Sequence, residues 1–405
     1  MILRAQWVVP VCGVPIRDGA VEIAGERIAR VGRWADLRAA AQGPAVELGP
    51  AILTPGVVNP HTHLELTGYA GRLPRGSLWA WFERLLALRS APGRLEREQQ
   101  AARAGAWQSL RAGVTCVGDI SRVNSSWAAL REVPIRKVCF VEVLSLAGDP
   151  PRDVDELAAA LDAIEATPRL RVGVSPHAPY TVTAETLRGA IALATRRDLP
   201  WTMHLAETPE EIAFFRGDPD ALPELVRVLC RQRGVVPPAR PPGEWLARIA
   251  DGLRPGLIVH GNYLDDGDAR HLAAAGHTLI YCPRSHGFFG HPAYPLRRFR
   301  ESGVRLLIGT DSLASNESLS ILDELRFVRT RVEAPPSPAG LLRMVTLDAA
   351  AALGLADEIG SLEAGKQADI AAFPTSSETT DPARALVDQP VAPVAVWVAG
   401  RRVVG

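Results

Sequence analysis

Apolar and polar positions along this chain follow two different rhythms. From Met1 to about Thr54, short runs of alternating β-branched residues recur, as in Trp7-Val8-Val9, Ala20-Val21-Glu22-Ile23 and Ile28-Ala29-Arg30-Val31, with a turn at Arg17-Asp18-Gly19. Alternation broken by Gly and Asp turns predicts a small antiparallel sheet. The far end reads the same way, through Ala368–Phe373, Val394–Val398, a turn at Ala399-Gly400, and Arg402-Val403-Val404. Neither end has enough strands to be stable alone, so the two are expected to join as one β-sandwich.

Between them the rhythm changes to apolar runs separated by amphipathic stretches. The strand candidates are Gly56–Val58, Val114–Val117, Val138–Val141, Leu170–Val174, Trp201–Met203, Leu257–Val259, Thr278–Tyr281 and Arg305–Ile308. Helical patterns such as Trp79–Leu88 and Val154–Ala166 lie between most of them. Eight strands alternating with helices predict an α/β fold, a parallel (β/α)₈ TIM barrel. The expected division is residues 1–54 for the first part of the sandwich, 55–345 for the barrel and 346–405 for the second part. The Pro-rich stretch Val235–Gly243 and its flanking helices read as an insertion after the fifth strand, of the kind that shapes a pocket.

Composition narrows what such a barrel could do. The chain has 405 residues, 47% hydrophobic and 22% charged, the profile of a folded globular protein. Lys+Arg and Asp+Glu both total 45, so no basic excess is available to neutralise nucleic-acid phosphates. A small-molecule substrate is expected, with no nucleic-acid partner. The N-terminus carries no signal-peptide pattern and no apolar run is long enough to span a bilayer, so a cytoplasmic protein without a membrane partner is expected. The cysteines, Cys12, Cys116, Cys139, Cys230 and Cys282, form no Cys-x-x-Cys pair and no complete disulfide framework. The sequence allows a homodimer.

The chemistry stands at strand ends, where barrels of this type place catalysis. His61-Thr62-His63 follows the first strand, and in an extended chain residues i and i+2 face one side, so both imidazoles can reach one ion. His204-Leu205-Ala206-Glu207 follows the fifth strand, His260-Gly261-Asn262 the sixth and Thr310-Asp311-Ser312 the eighth. His61, His63, His204 and Asp311 offer three nitrogens and one oxygen, a set suited to one Zn²⁺ with a place left for water, although Fe²⁺ or Mn²⁺ accept similar ligands. Metal-held water ionises near neutral pH and becomes the nucleophile. His260 is expected to hold that water, and Glu207 to carry a proton to and from the substrate. A lone His-x-His, or a single His after a buried strand, is more often structural; joint occurrence after four strands changes the odds. His271 and His277 lack that context and read as surface or helix-end residues.

These motifs resemble a known family. Leu53-Thr54-Pro55-Gly56-Val57-Val58-Asn59-Pro60-His61-Thr62-His63 is similar to the opening of the amidohydrolase barrel, and Gly360–Ile370 to the return to its small sandwich. Within that superfamily the chain resembles the deaminase and chlorohydrolase branch. That resemblance implies one metal on His61, His63, His204 and Asp311, Glu207 as proton shuttle, His260 as the residue orienting water, and His177 at a substrate-binding position. Binuclear branches use a carboxylated lysine late in the fourth strand. Lysine occurs here only as Lys137, before the third strand, and Lys366, in the tail, so one ion is expected.

Two segments, His61–Leu66 and Cys282–Pro292, are similar to the aminodeoxyfutalosine deaminases of the futalosine route to menaquinone. The implied substrate joins a purine nucleoside to a benzoate. Arg284 is then the candidate cation for the carboxylate and Glu65 a candidate partner of the ribose hydroxyls. His286 stands where many relatives carry Asn, and is a third candidate for the substrate. Trp79, Trp81, Phe288 and Phe289 could wall an aromatic ligand, or be core. The alternatives are a deaminase of adenosine or thiomethyladenosine, an s-triazine chlorohydrolase, and a binding scaffold that has lost catalysis. The last should lack a ligand or the shuttle carboxylate, and this chain lacks neither.

Overall fold

The computed structural model describes residues 1–40, 43–122, 126–145 and 148–405. Its strands are β1 (Ile2–Val8), β2 (Ile16–Ala24), β3 (Arg27–Arg33), β4 (Ala45–Glu47), β5 (Ala51–Pro55), β6 (Val57–Thr62), β7 (Val114–Ser121) and β8 (Arg136–Val143). They continue with β9 (Leu170–Pro176), β10 (Thr202–Leu205), β11 (Leu257–His260), β12 (Thr278–Tyr281), β13 (Arg305–Ile308), β14 (Ile370–Pro374), β15 (Ala395–Val398) and β16 (Arg401–Val404).

The two chain ends share one hydrogen-bonded sheet, as expected, and the expected sandwich is not confirmed by that pairing. Hydrogen bonds tie β16-β15-β14-β5-β1-β2-β3, with β4 beside β1, into a single eight-stranded sheet. The junction is β5, which runs parallel to β1 and antiparallel to β14. One strand bonded on both edges unites the two ends.

All eight strand candidates of the middle region form strands, β6 to β13, parallel and separated by helices. They are buried on both faces, which is why they read as near-continuous apolar runs. The hydrogen bonding departs from a continuous barrel. It forms two four-stranded parallel sheets, β6-β7-β8-β9 and β10-β11-β12-β13. The sheets meet at two seams, each through one isolated bridge, Val174 with Trp201 and Thr62 with Asp311. Pro200 precedes β10 and Pro60 lies within β6, and a proline has no N–H with which to extend a ladder. Gly56 carries the chain from the terminal sheet into β6; a Cβ there would run into the Thr115 side chain.

Packing fixes which end of the strands is free for chemistry. Val58, Cys116, Val138, Leu257, Ile280 and Leu307 share a buried cluster with Ala349, Leu353 and Ile359. The helix Leu347–Ala352 and the turn after it therefore plug the N-terminal side, so packing on these strands runs past residue 345. The helix expected over Val154–Ala166 lies earlier, at Pro150–Asp162, because the Asp149 side chain caps it and Pro150 fits its first turn. Three helices, Pro209–Phe215, Glu224–Arg233 and Pro242–Ile249, form the insertion between β10 and β11.

A buried ion pair locks the sheet of the two ends to the strands. Asp369, just before β14, accepts hydrogen bonds from Arg136 in β8 at 3.1 Å and from the Ala399 backbone N–H at 2.8 Å. Both charged side chains are almost fully buried. Asp369→Ala leaves the buried guanidinium with only Glu358, at 3.6 Å, and the Pro168 carbonyl, and should cost at most about 3–5 kcal/mol, read as a lower urea midpoint at unchanged slope.

Candidate active site

His61, on β6, is the centre of a cluster at the C-terminal strand ends. Both of its ring nitrogens are buried without a hydrogen-bond partner. Two groups of potential metal ligands share it, His61 with His204 and His260, and His61 with His63 and Asp311; ligand atoms in each lie within 4.8 Å of one another. Nε2 of His63 and Nε2 of His204 are 3.3 Å apart. Two nitrogens on one tetrahedral ion, each at about 2.0–2.1 Å, are separated by roughly 3.3–3.4 Å. The unpartnered nitrogens, the spacing and the donor types all fit a divalent ion.

The backbone aims these groups by unusual means. Ala206, His260 and Asp311 all have positive φ, at 54°, 70° and 57°. Such backbone is rare for non-glycine residues and clusters at functional sites. Gly309 leaves room for His61, whose Cβ lies 3.1 Å from where a glycine-replacing Cβ would sit. Supporting hydrogen bonds set the rings and the carboxylate. His204 Nδ1 lies 3.0 Å from the His177 carbonyl, which directs Nε2 into the cluster. Asp311 Oδ2 accepts from Ser285 Oγ at 2.7 Å and Ser315 Oγ at 2.9 Å, leaving Oδ1 to face His61 and His63.

Burial sets the protonation states. It pulls His63, with His61 beside it, down to about 3, and His260 likewise to about 3. His204 is held well below its ordinary value by burial and by His177. Neutral imidazoles are the form that binds metal. Burial, then Asp311 and Glu211, push Glu207 well above the carboxylate range, a shift that favours its protonated form. Its Oε1 is 3.5 Å from His260 Nε2. Glu211 accepts hydrogen bonds from the N–H groups of Ala206 and Glu207 and thereby fixes the turn that presents Glu207.

The cluster opens into a cavity of about 310 Å³. Glu65, His177 and Glu207 line it, together with His63, His204, His260 and Asp311. Glu65 accepts from Arg89 at 2.6 Å and from Ser121 Oγ at 3.2 Å. His177 Nδ1 lies 2.8 Å from Thr181 Oγ1, leaving Nε2 on the Glu142 side at 4.0 Å. Trp79, Trp81 and Phe289 stand on the wall; Phe288 does not, and packs under Arg75.

Two expected substrate residues are not on this cavity. Arg284 faces a separate surface hollow, where it donates to Asn316 and Glu317, because the helix Pro283–Phe289 turns it outward. His286 on the same helix points to the Pro292 carbonyl and to Asn262. Asn262 in turn donates to the Glu207 carbonyl, so His286 steadies Glu207 from behind. His277, expected at the surface, is buried; its Nδ1 accepts from the Gly256 N–H and its ring packs on Trp201. Lys137 is at the opposite end of β8, buried against the Leu130 and Val133 carbonyls. The sequence reading missed the arginines of the cavity, Arg89, Arg122 and Arg233. Of these, Arg122 carried a signal, since it directly follows a strand.

The profile of the amidohydrolase family matches residues 52–403. The chain is 32% identical over 329 residues to aminodeoxyfutalosine deaminase of Deinococcus radiodurans, covering 77% of this chain and 76% of that protein. It is 28% identical over 431 aligned residues to a 5-methylthioadenosine/S-adenosylhomocysteine deaminase of Teredinibacter turnerae, covering 99% and 91%. Among solved structures, aminofutalosine deaminase of Helicobacter pylori, in complex with methylthio-coformycin, superposes with a TM-score of 0.86 at 24% identity, each chain fully covered. An adenosine deaminase of Xanthomonas campestris with zinc bound gives 0.81 at 26% identity, covering 100% and 92%.

Proposed function

The chain belongs to the amidohydrolase family, a family of hydrolases, and from that premise we propose that it is a zinc-dependent deaminase of a purine nucleoside, with aminodeoxyfutalosine as substrate. The observation that carries the reading is the buried Glu207 carboxyl 3.5 Å from His260, inside a cluster of His61, His63, His204 and Asp311 at the floor of an aromatic-walled cavity. The Deinococcus radiodurans relative, and the zinc in the Xanthomonas campestris structure, support it.

His61, His63, His204 and Asp311 would hold the ion, which when bound supplies a water ionised near neutral pH. Glu207 gives its proton from the carboxyl to the ring nitrogen beside the carbon that carries the amino group, making that carbon electrophilic. It then takes the two protons of the attacking water in turn, passing one to the departing amine and keeping the other, which restores the carboxyl. Water is consumed and ammonia released. His260 keeps Glu207 and the water in register from 3.5 Å. His177 Nε2 and the Glu65 carboxylate are placed for the purine edge and the ribose hydroxyls.

A second reading, deamination of methylthioadenosine, is favoured by the match to the Teredinibacter turnerae enzyme along 99% of this chain. Ammonia release from aminodeoxyfutalosine and from methylthioadenosine, measured side by side on protein of known metal content, separates the two. About one divalent ion per chain and a higher kcat/KM for aminodeoxyfutalosine are expected. Two ions required for activity, or chloride release from a chlorinated triazine in place of ammonia, would overturn the proposal.

A further inference from the structure

Two of the cavity's arginines have no carboxylate of their own. Arg122 directly follows β7, and Arg233 ends the helix Glu224–Arg233. Both line the cavity. Arg89 there is held by Glu65 and Glu98. Arg122 and Arg233, by contrast, make no ion pair or side-chain hydrogen bond among the described residues. The seven residues outside the description, at 41–42, 123–125 and 146–147, include no Asp or Glu. Two acids act on them from a distance: Glu142, beside His177, feels the charge of Arg122, and Asp153, which accepts from Thr186, raises Arg233.

The two guanidinium groups are also neighbours. Burial, and then Arg122, pull Arg233 below its ordinary value, and Arg122 together with burial pulls down His177. Like charges gathered at a cavity wall with no carboxylate in direct ion pair are costly, and an anion entering between them relieves that cost. Trp79, Phe82, Leu86, Tyr180, Val226 and Leu229 supply an apolar stretch of the same wall. Such a passage suits a ligand arm with an apolar body and a negative tip.

We propose that Arg122 and Arg233 bind the carboxylate at the end of an apolar substrate arm, and so select substrates with a negative charge remote from the reacting carbon. The identity of that substrate rests on the deaminase reading, whereas the anion site itself does not. Guanidinium forks pair with carboxylates through two parallel hydrogen bonds, stronger than neutral ones.

The test is binding of benzoate and of its neutral counterpart benzamide, followed by tryptophan fluorescence. The wild-type protein should prefer benzoate by about ten- to a hundredfold. Arg122→Met and Arg233→Met should each remove most of that preference while leaving benzamide unchanged. Arg122→Lys and Arg233→Lys, which keep charge and bulk but lose the fork, should fall between. Equal affinity for the two ligands in the wild type, or a preference that survives the double methionine variant, would overturn the proposal. A benzoate preference that depends on both arginines, in a protein releasing no ammonia from any purine nucleoside, supports the anion site and refutes the deaminase reading instead.

Discussion

Glu207→Gln should lower kcat by roughly a hundred- to ten-thousandfold, the usual worth of a positioned general acid–base, while the bound ion stays in place. The amide keeps the shape of the carboxyl, and the backbone N–H of residue 207 still reaches Glu211. What it loses is the ability to give and take a proton, which burial otherwise favours holding on this group. KM should change little, because Glu207 acts on the reacting atoms and not on the distant arm. Elemental analysis beside steady-state kinetics checks both halves. A metal-replete variant with near-normal kcat would remove Glu207 from the mechanism.

Asp311→Asn should all but abolish turnover by another route, through loss of the ion. Oδ1 is the oxygen directed at His61 and His63, and a neutral amide oxygen ligates zinc poorly. The backbone should survive, because asparagine is among the few side chains that tolerate the left-handed conformation found at this position. Ion affinity should fall by more than the roughly 10–100-fold typical of losing a mere supporting partner. Competition with a chelator of known affinity measures it. Wild-type ion retention would take Asp311 out of the ligand set.

Much of this site was legible because polar residues interrupt apolar strands at one end only. His61-Thr62-His63, His204, His260 and Asp311 each follow a run whose buried pattern fixes direction, so chain order alone suggested where they would meet. Glu207 was legible for the same reason. Arg284 and His286 misled, since their motif lies on a short helix, and a helix turns successive side chains by about 100°. Sequence spacing there does not say which faces the ligand. Arg233 was hidden because it belongs to an inserted helix whose docking depends on tertiary packing. The terminal strands were legible as strands, but alternation does not distinguish one sheet from two. His277 looked exposed because its partner, the Gly256 N–H, lies 21 positions away in sequence.

The seam between the two parallel sheets has a consequence for how long the protein lasts. Thr62 and Asp311 form its single bridge beside the cluster, and the ligand groups come from both sides, His61 and His63 from one sheet and His204 and Asp311 from the other. On the proposed assignment, an ion held by all of them would act as a cross-link between the halves. Durability then follows supply: a hundredfold excess of free ion over its dissociation constant adds about 2.7 kcal/mol to the folded state. A metal-starved cell would hold a molecule that is idle and also easier to unravel and degrade, so scarcity would thin the enzyme's abundance as well as silence it.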